Sequence, residues 1–271
     1  MSIKNPLRYP GAKSKLYDYI CKLLIAEQRT GCTFYEPFAG SAAISLLLLE
    51  NQVISKAVLN ELDPLLYNFW FSVFNHTEEL ITLIRNTDIT LENWHEFSLY
   101  RNNDYLQDKT SVQIGFAGLF LNRTNFSGIL KANPLGGLNQ QSQYPINCRF
   151  NKDKIINSIQ QLSLYGNKIT LYNLDAIDFM KQALRYKRNR KTFVYIDPPY
   201  YKEGANLYRC YYTHEQHMLL SKFILSKTYP WLISYDNAEE IRKMYKQLSP
   251  LTIHMHYSVH QETPKSYSYL I

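Results

Sequence analysis

Thr192-Phe193-Val194-Tyr195-Ile196 followed by Asp197-Pro198-Pro199-Tyr200 is the stretch that decides the fold of this chain. The first five residues are β-rich and predict a strand; the next four predict a loop stiffened by its prolines. In a strand-helix sheet, ligands sit beyond the carboxyl ends of the strands, which is where Asp197 to Tyr200 fall. Asp197 can accept one N–H of an exocyclic amine and the Pro198 carbonyl the other. Two acceptors hold such a nitrogen with its lone pair towards an electrophile. Tyr200 offers a ring on which an extruded base can stack. The plain alternative is a proline-rich turn capped by aspartate.

Working outward, strands and helices alternate on both sides of this stretch. Upstream, a strand is predicted at Lys168 to Tyr172 and a helix at Ala176 to Leu184. Downstream come a helix at His214 to Ser226, a strand at Trp231 to Tyr235 and a helix at Ala238 to Leu248. Two β-rich runs, Leu251 to Val259 and Tyr267 to Ile271, are expected to pair as a hairpin. An earlier block has a strand at Thr33 to Glu36, a helix at Ser41 to Glu50, a strand at Lys56 to Asn60 and a helix from Pro64. The alternation implies an α/β fold with a doubly wound, mostly parallel sheet. Between the blocks it stops. Helical patterns at Glu78 to Arg85, Leu91 to Tyr100 and Val112 to Leu121 lead into a polar stretch, Asn122 to Asn151, for which Phe126, Ile129, Tyr144 and Phe150 are the expected anchors. We read residues 75–151 as an inserted, mainly helical subdomain, with 1–74 and 152–271 forming the catalytic domain.

Phe34-Tyr35-Glu36-Pro37-Phe38-Ala39-Gly40-Ser41-Ala42 is a second signal: a strand enters a small-residue turn and then an apolar helix. Small residues let a ligand approach the backbone. Glu61 follows the next strand, where a carboxylate can take the hydroxyls of a nucleoside ribose. Leu7-Arg8-Tyr9-Pro10-Gly11-Ala12-Lys13 is, alone, a turn with two basic residues.

With 271 residues, 45 % hydrophobic and 20 % charged, the chain can bury a sizeable core. The apolar run Leu46 to Leu49 stops at Glu50, far short of the ~20 residues a membrane span needs. The start lacks the apolar stretch of a secretion signal. Cys21, Cys32, Cys148 and Cys210 have no Cys-x-x-Cys spacing and read as reduced thiols, which fits a cytoplasmic setting. A net charge of +7 and 23 tyrosines suit a polyanionic partner that offers bases to stack. His214 and His217 read as surface residues at a helix start rather than metal ligands, and no metal is expected. The basic run Arg185 to Lys191 reads equally as a solvated loop or a DNA clamp.

Taken in order, Tyr-Pro-Gly-Ala-Lys (9–13), Glu-Pro-Phe-Ala-Gly (36–40), Asn60-Glu61-Leu62-Asp63-Pro64, Asn122-Arg123-Thr124-Asn125-Phe126-Ser127-Gly128 and Asp-Pro-Pro-Tyr (197–200) resemble the Dam-like, alpha-group DNA adenine N6-methyltransferases over nearly the whole chain. Arg149-Phe150-Asn151, Asn173-Leu174-Asp175-Ala176 and Ile233-Ser234-Tyr235-Asp236 place it nearer one subgroup. The resemblance implies the S-adenosylmethionine-dependent methyltransferase fold, S-adenosylmethionine as cofactor, and double-stranded DNA read by the insertion. It also implies a setting in which a cognate restriction endonuclease is a partner to look for.

By position, the resemblance gives Tyr9, Gly11, Lys13, Phe38, Gly40, Glu61 and Asp175 to the cofactor. Asp197, Pro198, Pro199 and Tyr200 go to catalysis. Arg8, Arg123, Phe126, Ser127, Ile129 and Lys131 go to DNA, with Phe126 placed to fill the gap left by a flipped base. The chain departs from the family at Ala42, where a second glycine is frequent, and at Lys131, where Dam-type enzymes carry arginine, so their GATC target is not carried over. The end also lacks the glutamate often found before the final apolar pair. Alternative readings are a methyltransferase acting on RNA adenine, on cytosine N4 or on a protein glutamine, and a DNA-binding protein without turnover.

Overall fold

β4 (Thr192–Ile196) is buried along its whole length in the computed structural model, which describes residues 4–8, 16–185, 191–248, 250–257 and 265–270. It pairs in parallel with β1 (Thr33–Glu36) and β5 (Trp231–Ile233), and β2 (Lys56–Asn60) and β3 (Ile169–Tyr172) continue the sheet beyond β1. The order β3-β2-β1-β4-β5 is doubly wound, as expected, and reverses between β1 and β4. A crevice opens at such a reversal, beyond the carboxyl ends of the strands.

Alternation along the strands sends side chains to two separate cores. Phe34, Leu59, Phe193 and Tyr195 pack with α1 (Tyr17–Ala26), α2 (Ala43–Glu50) and α3 (Pro64–Asn75). Tyr35, Val194 and Ile196 pack on the other face with Phe179 of α8 (Ala176–Ala183), Leu220 of α10 (His214–Leu225) and Ile241 of α11 (Glu239–Met244). A short α9 (Gly204–Leu207) lies between β4 and α10.

The helices between β2 and β3 share the first core: α3, α4 (Thr77–Asn86), α5 (Leu91–Ser98), α6 (Ser111–Thr124) and α7 (Lys152–Ser163). α6 packs on α3 so closely that a Cβ at Gly115 would lie 2.4 Å from the Asn68 carbonyl oxygen. The polar stretch after α6 is ordered by asparagines. Asn125 donates to the carbonyls of Ile129 and Leu130 and accepts from Trp94 Nε1. Of the expected anchors, Phe150 is buried and Ile129 half-buried, but Phe126 and Tyr144 are 62 % and 49 % exposed; Leu130 and Ile146 are buried instead. Asparagine side chains saturate the irregular backbone here, so fewer aromatic anchors are needed.

The strand expected at Trp231 to Tyr235 is broken. β5 stops at Ile233, and β6 (Tyr235–Asp236) pairs with β8 (Lys265–Leu270), which pairs antiparallel with β7 (Thr252–Tyr257). The expected hairpin is therefore present and gains a strand; Val259 and Ile271 lie outside the described residues. Among the described residues, no helix is long and apolar enough to cross a membrane.

Candidate active site

An open cavity of about 790 Å³, its mouth included, lies at the β1–β4 reversal. Its walls are the Glu36–Ser41 turn after β1, Asn60 to Leu62 after β2, Ala176 at the start of α8, and Asp197 and Pro199 after β4. The cavity thus brings together Phe38, Gly40, Glu61 and Asp197 from separate sequence motifs. Ala43 and Ile44 of α2, Tyr195 of β4, and Tyr208, Cys210 and Tyr212 complete it. Sequence reasoning missed the last three; the run of tyrosines after the tetrapeptide was their only signal.

In the β1 turn, the buried Glu36 carboxyl accepts from Ser45 Oγ, and burial, with a smaller contribution from nearby Asp197, pushes it up to about 8. Gly40 donates its N–H to Glu61 Oε2 at 2.8 Å and accepts from Trp70 Nε1 at 2.8 Å. Ala42 is left-handed (φ 49°, ψ 23°), so α2 begins at Ala43 rather than Ser41. A glycine bears that conformation without strain; an L-residue with a Cβ gives up ~1–2 kcal/mol.

Glu61 also accepts from the Asp63 N–H at 2.9 Å, and burial pushes its carboxyl up to about 7. Fully buried Asn60 ties three loops together, donating to the Pro37 and Leu174 carbonyls and accepting the Leu174 N–H. Asp175 stands beside the lining rather than in it. Its oxygens accept from the Ile177 N–H (2.8 Å) and the Tyr212 hydroxyl (3.0 Å). Burial and this carboxylate push the Tyr212 phenol upward, so it keeps its proton. Phe38 meets the Tyr212 ring edge-on at 5.4 Å.

Asp197 Oδ1 accepts from Ser234 Oγ at 2.6 Å. Pro198 and Tyr200 are buried and do not line the cavity; Tyr200 lies edge-on to Tyr208, which does. The segment after the tetrapeptide is fastened by Arg209, whose Nη1 pairs with Asp63 Oδ1 at 2.9 Å in a buried ion pair and whose Nη2 donates to the Arg101 carbonyl and Asn103. Asp63 in turn caps α3 at the Leu65 N–H.

The described DNA candidates gather around the end of α6 and the irregular stretch after it, with Arg8 packed against them. Asn122 brackets the Arg8 backbone, accepting its N–H and donating to its carbonyl. Gly128 (φ +77°) fits against it because a Cβ there would lie 2.2 Å from the Arg8 oxygen. Burial first, then the mutual repulsion of Arg8, Arg123 and Arg149, lowers the guanidinium of Arg8 and takes Arg123 to about 10. Arg8 Nη1 and Arg123 Nε are buried without a hydrogen-bond partner among the described residues. Phe126 projects beside Ser127, itself left-handed at φ 54°. Lys131 Nζ bonds the Ala205 carbonyl of α9. Tyr9, Gly11 and Lys13 lie outside the described residues, as do residues 186–190 of the basic run.

The histidine expectation needs correction. His214 is exposed, but His217 is only 1 % exposed, hydrogen-bonded to the Tyr235 hydroxyl, and taken down to about 4 by burial. His217 heads the buried stripe of α10, with Leu220, Ser221 and Ile224 at i+3, i+4 and i+7, whereas His214 is the first residue of the helix. Among the described residues, no group of His, Cys, Asp and Glu is arranged to hold a metal ion.

A family model of D12 class N6 adenine-specific DNA methyltransferases matches residues 9–263. Among curated proteins, the type II methyltransferase M.MjaIII of Methanocaldococcus jannaschii is 25 % identical over 210 residues, 74 % of this chain and 70 % of that one. M1.LlaDCHI of Lactococcus lactis subsp. cremoris is 26 % identical over 245 residues, 89 % of this chain and 75 % of that one. M.CviBI of Paramecium bursaria Chlorella virus NC1A is 26 % identical over 215 residues, 79 % and 76 % of the two chains.

Proposed function

The chain belongs to the D12 class N6 adenine-specific DNA methyltransferases, and from that premise we propose how its own residues carry out site-specific methylation of adenine. The observation that carries the reading is that Asp197 and Glu61, from distant motifs, line one cavity at the sheet reversal. We assign that cavity to S-adenosylmethionine. The donor set suits it: Glu61 accepts ribose hydroxyls, Phe38, Ile44 and Leu62 flank a purine, and Asp175 with Tyr212 borders the same wall. Tyr9, Gly11 and Lys13 are assigned to the same ligand on the family's pattern. When bound, this cofactor supplies a methyl on an electrophilic sulfonium.

Adenine's amino nitrogen is a weak nucleophile because its lone pair is delocalised into the ring. Asp197 accepts one of its N–H groups and the Pro198 carbonyl the other, which turns the lone pair out of the ring plane. Pro198 and Pro199 keep that carbonyl aimed. Alignment supplies most of the acceleration. The base must leave the duplex at a cost of a few kcal/mol, offset in part by stacking on the Tyr200–Tyr208 pair.

We assign residues 75–151 to target recognition. Arg123, with Arg149, holds phosphate; Arg8 and Lys131 read base edges; Phe126, Ser127 and Ile129 occupy the gap in the stack. The type II names of the relatives support a cognate restriction endonuclease as the enzyme's counterpart.

The test is Asp197→Ala. Methyl transfer to duplex DNA should fall by at least ~100–1000-fold, the scale of losing a charge-stabilising group at a reacting centre. Cofactor affinity, read by calorimetry, should stay within several-fold. A variant that methylates DNA at near the wild-type rate removes Asp197 from the reaction.

A further inference from the structure

We propose that Ser234 is the positioning residue of Asp197, and that Tyr195, Ser234 and Asp197 form a directed chain of hydroxyl donors ending on the catalytic carboxylate. The inference rests on the role given to Asp197 above.

Ser234 occupies the break between β5 and β6, where the chain leaves the parallel sheet. Its backbone N–H donates to the Ile196 carbonyl at 2.9 Å, which pins it beside the last residue of β4. The side chain is fully buried. Its Oγ donates to Asp197 Oδ1 at 2.6 Å and lies 2.9 Å from the Tyr195 hydroxyl. A serine hydroxyl has one proton, and a carboxylate only accepts. The serine proton is therefore committed to Asp197, and Tyr195 must donate into Ser234 Oγ. This fixes the direction of the chain.

The terminal torsion of an aspartate is broad and roughly two-fold, so packing alone leaves the carboxylate plane loosely set. A short hydrogen bond to an ionised oxygen is strong and directional. It holds Oδ1 and thereby sets the plane that Asp197 turns towards the cavity. Asp236, two residues further on, accepts the N–H groups of Tyr201 (2.8 Å) and Lys202 (3.1 Å). Residues 234 and 236 thus hold the catalytic loop at both ends: Ser234 at its first side chain, Asp236 at the backbone behind its last. Ser234 sits at the break itself and Asp236 in β6, the first strand beyond the parallel sheet.

The experiment uses the full chain carrying Ser234→Ala, Ser234→Cys, Tyr195→Phe, Ser234→Ala with Tyr195→Phe, and Asp197→Ala. Single-turnover transfer of tritiated methyl to unmethylated plasmid duplex is read beside cofactor affinity and thermal midpoint. Ser234→Ala should slow transfer by ~10–100-fold, the span of a hydrogen bond to a charged group. Cofactor affinity should hold within about threefold. Ser234→Cys, a weak donor of similar size, should fall between wild type and alanine. Tyr195→Phe should lose less, and the double variant should be no slower than Ser234→Ala, because the outer donor acts only through the inner one.

The proposal is overturned if Ser234→Ala transfers at the wild-type rate, if its loss is matched by an equal loss of cofactor affinity, or if the serine and tyrosine effects multiply. Asp197→Ala separates the levels. If it stays active, the reading of Asp197 falls and this inference with it. If it is inactive while Ser234→Ala is wild-type, only the inference falls.

Discussion

Around the cavity, the carboxylates already have donors before any ligand arrives. Glu36 is held by Ser45, Glu61 by two backbone N–H groups, Asp175 by Ile177 and Tyr212, and Asp197 by Ser234. Around the end of α6, where Arg8 packs, the reverse holds. Arg8 and Arg123 carry buried nitrogens without partners among the described residues, Arg149 adds repulsion, Ser127 is left-handed, and Phe126 stands out in solvent. One region is organised in advance, as alignment chemistry requires. The other holds clustered positive charge whose burial and mutual repulsion are unfavourable in the free protein.

The seam between the regions is the strongest place to break this contrast. Arg209 joins the wall of the cavity to Asp63 and to the Arg101 carbonyl of the insertion. Arg209→Met leaves the buried Asp63 carboxylate uncompensated and should cost ~3–5 kcal/mol of stability in urea unfolding. Adding Asp63→Asn should restore part of that, because asparagine still caps α3 without a charge. A loss below about 1 kcal/mol would mean that the cavity wall is organised without its ion pair.

A second test addresses the cavity side alone. Glu61→Ala should weaken S-adenosylmethionine binding by ~1.5–3 kcal/mol in calorimetry. The pH dependence has a definite sign. The folded value of about 7 lies above the ordinary 4.5, so the contribution of the protonated group to stability is complete below 4.5 and is lost as pH rises towards 7. Ribose hydroxyls donate to the ionised form, so cofactor affinity should rise with pH up to about 7 and then level off. Glu61→Gln should flatten that rise; a profile identical to wild type would place the ribose elsewhere.

The same contrast explains what could be read from the sequence. β1, β2 and β4 were legible to the residue, because β-rich runs bounded by turn residues mark buried parallel strands. Glu61 and Asp197 were legible as cavity residues because each immediately follows such a strand. The break at Ser234 was not, since Trp231 to Tyr235 keeps strand-like residues throughout and only the partner β8, some thirty-five residues on, draws Tyr235 away. Arg209 and Tyr212 were also invisible, because their partners Asp63 and Asp175 are distant in sequence. Asn122 and Asn125 were read as part of a polar recognition stretch, whereas their side chains are spent on backbone groups.

At the end of α6, Arg123→Met should weaken binding to all duplexes alike and lower the salt slope by about one. Stability should rise slightly, by up to ~1 kcal/mol, because an uncompensated, half-buried cation is removed from a repelling cluster. A stability loss instead would show that Arg123 is already paired in the free protein, and the contrast between the two regions would not hold.

The smallest effect is expected at Ala42, and it bears on whether the cavity is as settled as its hydrogen bonds indicate. The residue is fully buried and left-handed. Ala42→Gly relieves ~1–2 kcal/mol of backbone strain. Against that it loses a buried methyl, about 0.8 kcal/mol, and gives the unfolded chain ~0.4–1 kcal/mol of extra freedom. The opposing effects nearly cancel, so the change in urea unfolding should stay below about 1 kcal/mol. The Gly40–Glu61 hydrogen bond and the Trp70 bond to the Gly40 carbonyl fix the turn independently of residue 42. Cofactor affinity should therefore move by no more than about threefold, roughly 0.65 kcal/mol. A tenfold gain would show that the Ala42 methyl distorts the turn and that the glycine frequent in the family relieves a constraint this chain retains, in which case the cavity is not fully organised before its ligand binds.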